Sequence, residues 1–266
     1  KLTPNYDERT LTITPNLVGR GEFTAKVFDG ETEIASLSGE GEITLNVSTV
    51  KDWTPNTPEL YAIKMFFGGD EVESYFGMRK FSLIEKNGIK TFALNNEPIF
   101  HNGLLDQGYF EKGMLTPKSS EVMFSEVKLV KELGYNMLRK HIKVEPDIFY
   151  YYCDLYGLIV MQDMVNNGKY SFLLDTVFPT IGLKNKKFKK ANKTQKEVFL
   201  KTATKTINLL YNHPSVLYYT IFNEGWGQHD GTKIYNVLKE LDSSRIYDTT
   251  SGWFFDSESD VQSEHV

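Results

Sequence analysis

The sequence predicts two architectures in series, a β-sandwich and then a run of parallel β/α units, which makes a multidomain β plus α/β chain. Short stretches alternating apolar and polar residues recur up to about residue 84. From about residue 89, strand-like and helix-like segments alternate. One near-continuous apolar run, 216–222, reads as a strand buried on both faces. The 266 residues leave room for two ordinary domains or one barrel. Hydrophobic residues at 40% and charged residues at 24% fit a globular chain, not a disordered or membrane one. No apolar run approaches the ~20 residues of a membrane span, and the net charge of −5 argues against a nucleic-acid partner. Aromatic residues at 14% suit sugar contacts and cores alike.

The first region, 1–84, carries alternating stretches at Leu11-Thr12-Ile13, 23–27, 43–47 and 61–66. Turn residues separate them: Asp29-Gly30, Gly39-Glu40-Gly41 and Gly68-Gly69-Asp70. Regular strand spacing without a helical period marks a sandwich. In the second region, 85–266, strands are expected at 98–102, 135–139, 158–163, 216–222, 245–249 and 261–265. Helices are expected between them. Ser119/Ser120 to Leu133 carries Met123, Val127 and Val130 at helical spacing and stops at Gly134. A second starts with Pro146 in its first turn and stops at Gly157. A third opens on a capping box, Thr194-Gln195-Lys196-Glu197, and closes before Pro214, and a fourth runs from Asp230 to Leu241. Six strands make an unfinished eight-fold β/α barrel, two short. The connection 164–193 is long enough to be functional or mobile, and its run 184–190 fits a solvated loop or an anion grip.

Cys153 is the only cysteine, so neither an internal disulfide nor a CxxC metal site is expected. The start at Lys1, without an initiator Met, and the end at Val266 are expected to be cuts in a longer polypeptide. Extracytoplasmic (periplasmic or secreted) and cytoplasmic residence both stay open.

The chemistry concentrates where the apolar run 216–222 meets Asn223-Glu224-Gly225-Trp226. In β/α barrels the C-terminal ends of strands carry the reacting groups. An amide and a carboxyl side by side there can bind a hydroxyl and exchange a proton; a solvated strand-end Glu is the structural alternative.

This segment, with Gly134-Tyr135-Asn136-Met137-Leu138-Arg139-Lys140-His141 and the stretch Tyr152-Cys153-Asp154-Leu155-Tyr156-Gly157, resembles glycoside hydrolase family 2, which contains β-galactosidases, β-glucuronidases and β-mannosidases. Asn95-Asn96-Glu97-Pro98-Ile99-Phe100 looks like the family's first barrel strand and Gly77-Met78-Arg79-Lys80-Phe81 like the link closing its preceding domain. The resemblance implies an immunoglobulin-like β-sandwich over 1–84 and a truncated (β/α)8 TIM barrel over 85–266. It also implies roles. Glu224 matches the general acid/base, Asn223 a contact to the sugar 2-hydroxyl, and Arg139 a residue ordering the active-site carboxylates. The family's nucleophile, a Glu ending the seventh strand, has no counterpart, since Glu258 and Glu264 come too early, and its N-terminal sugar-binding domain has none either. The implied reaction is double displacement, in which one carboxyl protonates the leaving oxygen while another attacks the anomeric carbon. Without the nucleophile the chain alone is expected to be inactive.

Several positions depart from the family. Leu104-Leu105-Asp106-Gln107-Gly108 replaces an Arg-His-Glu stretch, leaving Asp106 as a substrate contact or a turn residue. His141 stands two residues after Arg139 rather than three, so a sugar-binding and a structural role are both open. Met164-Val165-Asn166-Asn167-Gly168 lacks the magnesium ligands of some members, so no metal and no cofactor is expected. Trp226 and Trp253 fall at the rim, to stack on a pyranose or pack the barrel top. His265 can reach the pocket, and Asp163 is expected to orient the residues that touch substrate. A β-galactosidase is the preferred reading. Its alternatives are a β-glucuronidase or β-mannosidase, an endo-acting β-glycanase, and a non-catalytic carbohydrate-binding or scaffold protein on a decayed barrel. Unpaired edges of an unfinished barrel make a homo-oligomer possible.

Overall fold

The computed structural model describes residues 1–47, 51–166, 170–183, 191–224, 227–252, 254–255 and 257–265, with Pro179 by its backbone only. Seven strands build two antiparallel sheets. One has the order β1 (Leu2–Asn5), β2 (Thr10–Ile13), β5 (Ile43–Asn46). The other has the order β4 (Thr32–Gly39), β3 (Phe23–Asp29), β6 (Tyr61–Phe67), β7 (Asp70–Phe76). Alternation decides the faces: Leu11 and Ile13, Phe23, Ala25 and Val27, Ile43 and Leu45, Tyr61 and Ile63 are all buried and meet in one core. The two sheets are therefore layers of a sandwich.

Three more strands, β8 (Phe81–Lys86), β9 (Ile89–Leu94) and β10 (Glu97–Pro98), form a second antiparallel unit in the order β10-β9-β8. Its turn is Asn87-Gly88, with φ of 54° and 77°, the paired positive angles that a tight hairpin requires. Phe81 and Leu94 from this hairpin cluster with Trp53 and with Ile159, Leu217, Tyr218 and Ile246 of the parallel sheet described next. The hairpin thus packs against that sheet, and β8 itself spans position 84.

Five parallel strands follow in the order β11 (Gly103–Asp106), β12 (Met137–Lys140), β13 (Ile159–Asp163), β14 (Val216–Asn223), β15 (Ile246–Ser251). Helices α1 (Ser120–Glu132), α2 (Asp147–Tyr156), α4 (Lys193–Leu210) and α5 (Gly231–Leu241) cover one face, sharing a core with Leu138, Val160, Val216, Tyr219 and Tyr247. A π-helical turn (Phe172–Val177) and the short α3 (Phe178–Thr180) lie in the long connection, whose run 184–190 is outside the described residues. Among the described residues the sheet stays open at β11 and β15.

Four expectations need correction. The first parallel strand is Gly103–Asp106, not 98–102. Pro98 instead closes the antiparallel unit, and residues 99–102 cross between sheets, pinned by Ile99 N–H to Phe92 O (3.0 Å) and by the Asn136 amide on Phe100 O and Asn102 N (2.8 Å each). Residues 261–265 are not a strand. They run beside β15 through one bridge, Asp248 to Val261, and one bond, Gly252 N–H to Ser263 O. Side chains take the edge donors that a ladder needs: Tyr247 N–H goes to Asp260 Oδ2 and Thr249 N–H to Ser259 Oγ, both 2.9 Å. The capping box of α4 is Asn192 with Gln195, two reciprocal 2.9 Å bonds, so the helix starts just before Thr194. Pro146 sits at the N-cap of α2, outside the first turn. The predicted stops hold: Gly134 and Gly157 have φ of 88° and 66°. A Cβ at Gly157 would stand 2.7 Å from Pro55 O, so close approach adds to the demand for glycine there.

Candidate active site

Every residue of β14 is buried. The chain leaves the strand at Glu224 in the left-handed region (φ 50°), its N–H bonded to Ser251 O at 2.6 Å. A non-glycine residue there costs about 1 kcal/mol or more. The turn lifts the Glu224 side chain out of the ladder, leaving it 39% exposed while Asn223 stays buried. Gln228 Nε2 donates to Glu224 O and ties down the turn.

Around this carboxylate the ends of adjacent strands converge. Arg139 of β12 forks onto Asp163 of β13, Nε to Oδ1 at 3.0 Å and Nη2 to Oδ2 at 3.1 Å. The same Nη2 donates to Asn223 Oδ1 at 2.7 Å, and Nη1 lies 3.1 Å from His265 Nε2. A guanidinium can only donate, so His265 Nε2 accepts and its proton resides on Nδ1. Nδ1 faces Glu224 Oε1 at 3.3 Å. Ser251 Oγ also reaches Nε2, at 2.9 Å, and continues to Ser263 Oγ (2.8 Å), which donates to Asp248.

Burial pushes the carboxyls of Asp163 and Asp248 upward, opposed at Asp163 by the forked Arg139 and at Asp248 by Ser263 and Tyr218. Burial lowers His141, and the fields of Asp163 and Glu224 oppose that shift. His141 therefore lies within the field of this group, with its backbone N–H on Asp106 O at 2.9 Å. Chemically, the cluster presents one accessible carboxylate, a ring N–H aimed at it, and an amide whose orientation Arg139 fixes. With Asn223 Oδ1 engaged, its NH2 has no acceptor among the described residues.

The structure thus assembles Glu224, Asn223, Arg139, His141, Asp163 and His265. Asp106 stands in a different network. Its Oδ1 accepts from Gly108 N–H, the turn role, and its Oδ2 pairs with Lys140, both at 2.7 Å. Lys140 also pairs with the buried Glu145 at 2.5 Å. Trp226 and Trp253 lie outside the described residues. Ser251, Ser263, Asp248 and Tyr218 were not singled out by the sequence reading. The available signal was an acid, Asp248, inside a strand buried throughout. Among the described residues no group of three His, Cys, Asp or Glu is set to hold a metal ion.

The family model described as "Glycosyl hydrolases family 2, TIM barrel domain" matches residues 86–263. The chain belongs to glycosyl hydrolase family 2. Its similarity to family members is low in identity and broad in extent. A beta-galactosidase of Leuconostoc mesenteroides subsp. mesenteroides is 24% identical over 274 residues, 92% of this chain and 24% of that one. A mannosylglycoprotein endo-beta-mannosidase of Lilium longiflorum is 28% identical over 168 residues, 61% of this chain and 16% of that one. The solved beta-D-glucuronidase of Dictyoglomus thermophilum aligns with TM-score 0.78 at 18% identity, covering 98% of this chain and 44% of that one, which shows a shared fold. The chain spans about a quarter of the length of the curated beta-galactosidases it matches. The β/α part described above is therefore family-2 TIM-barrel domain, here an open sheet.

Proposed function

We propose that this chain supplies the acid/base side of a retaining β-glycosidase, β-galactosidase-like, with Glu224 as the general acid/base. The observation that carries the reading is the accessible Glu224 carboxylate at the C-terminal end of a parallel strand, flanked by His265 Nδ1–H and by the Arg139–Asp163–Asn223 cluster. In the first step Glu224 gives its proton to the glycosidic oxygen as the bond to the anomeric carbon breaks. In the second it takes a proton from the attacking water. Asn223 donates its free amide hydrogens to a sugar hydroxyl. Arg139 holds that amide and Asp163, and Asp163 orients Arg139 in turn. His141 and His265 border the sugar. The attacking carboxylate is expected from the family's seventh strand, and the five parallel strands of the described residues do not by themselves complete the double displacement. The sandwich is of the immunoglobulin-like type, and the open edge of β11 gives the isolated chain a route to self-association.

The preference for galactosides rests on the Leuconostoc relative, which matches 92% of the chain. The endo-beta-mannosidase relative supports a mannosidase as the second reading. Glu224→Ala in the whole protein that carries this chain tests the role. The expected result is loss of turnover on alkyl β-galactosides, retained first-step cleavage of an activated aryl galactoside, and acceleration by azide with a β-galactosyl azide product. Undiminished alkyl galactoside turnover would remove Glu224 from the chemistry.

A further inference from the structure

The segment Gly77-Met78-Arg79-Lys80 carries the chain from β7 to β8, and the active-site reading leaves it without a task. Gly77 passes so near the root of β14 that a Cβ there would stand 2.8 Å from Pro214 Cβ and 3.0 Å from Trp53 Cβ. This approach places Arg79 beneath the loop that leads into β14. Arg79 is 5% exposed. Among the described residues its guanidinium makes one hydrogen bond, Nε to Pro214 O at 3.2 Å. Among those residues its Nη groups have no acceptor.

Arg245, equally buried, is the contrast. Its nitrogens donate to the carbonyls of Val216, Tyr211 and His213, to Ser244 Oγ, and to Asp242 Oδ2 at 2.5 Å. Both arginines wall a small cavity of about 20 Å³ together with Leu2, Asn212, Ser244 and Gly77, and no carboxylate among the described residues lines it. Asp242 pairs with Arg245, and Arg79 feels Asp242 and Asp154 only through space, with no ion pair of its own among the described residues. Burial and the charge of Arg245 together lower the Arg79 guanidinium to about 9, which leaves it protonated at neutral pH. A buried cation with unsatisfied donors is costly unless something anionic or strongly accepting meets it. Asn212, exposed at the mouth, adds a donor: its Oδ1 accepts from Leu2 N–H at 2.8 Å, and its NH2 has no acceptor among the described residues.

We propose that this cavity binds a single monoatomic anion of halide size, chloride in solution, held by the Arg79 Nη groups and the Asn212 amide. The volume admits about one water-sized guest, too little for phosphate, sulfate or a carboxylate. Besides Arg79, Arg245 and the Asn212 amide, the walls hold the hydroxyl-bearing Thr3, Tyr211 and Ser244 and no carboxylate. Bound there, the ion joins β1 of the sandwich, the link at Arg79 and the root of β14 into one electrostatically balanced junction.

The test is thermal unfolding of the full chain at constant ionic strength, with sodium gluconate exchanged for sodium chloride or bromide. Gluconate is too large to enter. The expected result is a saturable rise in Tm of about 2–4 °C across 1–100 mM halide, absent in Arg79→Met. Equal Tm in gluconate and chloride, or an undiminished halide response in Arg79→Met, overturns the proposal. Should Arg79→Met fail to fold, bromide-soaked crystals of the unsubstituted chain decide. An anomalous peak within hydrogen-bonding distance of the Arg79 Nη atoms supports the site, and a water without anomalous signal there overturns it.

Discussion

The two ends of strand β14 each pair a histidine with carboxylates, and the pairs are built for opposite purposes. At the root, His213 Nδ1 meets Asp154 Oδ2 at 2.6 Å, Tyr75 OH of the sandwich donates to the same oxygen at 2.7 Å, and Ser215 N–H takes the other oxygen at 2.9 Å. Asp154 is fully buried and saturated. At the tip, His265 meets Glu224 at 3.3 Å, and the carboxylate keeps solvent access. A closed pair rigidifies the contact between the sandwich and the parallel sheet. An open one retains acceptor capacity for an incoming group. Chemistry belongs where hydrogen bonding is left incomplete.

The largest effect expected on this contrast is at the tip. Glu224→Gln in the whole protein should cut kcat/KM on unactivated substrates by about 10²–10⁴, while shifting unfolding free energy by less than ~1 kcal/mol. At the root the pattern should invert. Asp154→Ala leaves Tyr75, His213 and Ser215 without their shared acceptor and should cost about 3–5 kcal/mol in urea unfolding. Activity per folded molecule should hold. A comparable loss of turnover from both substitutions would erase the distinction.

A pH series sharpens it further. Burial pulls His213 down, but Asp154 and Asp147 outweigh it, so its folded pKa lies above the ordinary 6.5. The folded state therefore binds this proton more tightly than the unfolded chain. The contribution is fully present below about 6.5 and fades as pH rises through the folded value. The denaturation midpoint should fall over that window in the unsubstituted chain and flatten in His213→Gln; identical slopes would deny the link. The smallest effect is expected at Ser251→Ala, which removes one contact to His265 Nε2. It should lower kcat/KM by a factor of about 3–10, equivalent to roughly 1 kcal/mol, with Tm nearly unchanged.

What the sequence made legible was whatever a few adjacent residues decide. Gly134 and Gly157 stop helices because the backbone there is left-handed, and the run into Asn223-Glu224 declares a buried strand with a polar end. What it concealed depended on register. Leu105 pairs with Arg139 and Asp106 with Lys140, so neighbouring residues face opposite sides of the sheet, and Asp106 joins Lys140 rather than Arg139. Residues 261–265 look like a strand, yet Ser259 and Asp260 claim the β15 donors first. The Asn87-Gly88 hairpin signal was present and went unread, which displaced the first parallel strand.

The backbone of residue 224 carries a last implication. A φ of 50° suits glycine or asparagine better than glutamate. Either would relax the turn and remove the carboxyl group. With glutamate in place, backbone tension sits directly beneath the group that faces His265.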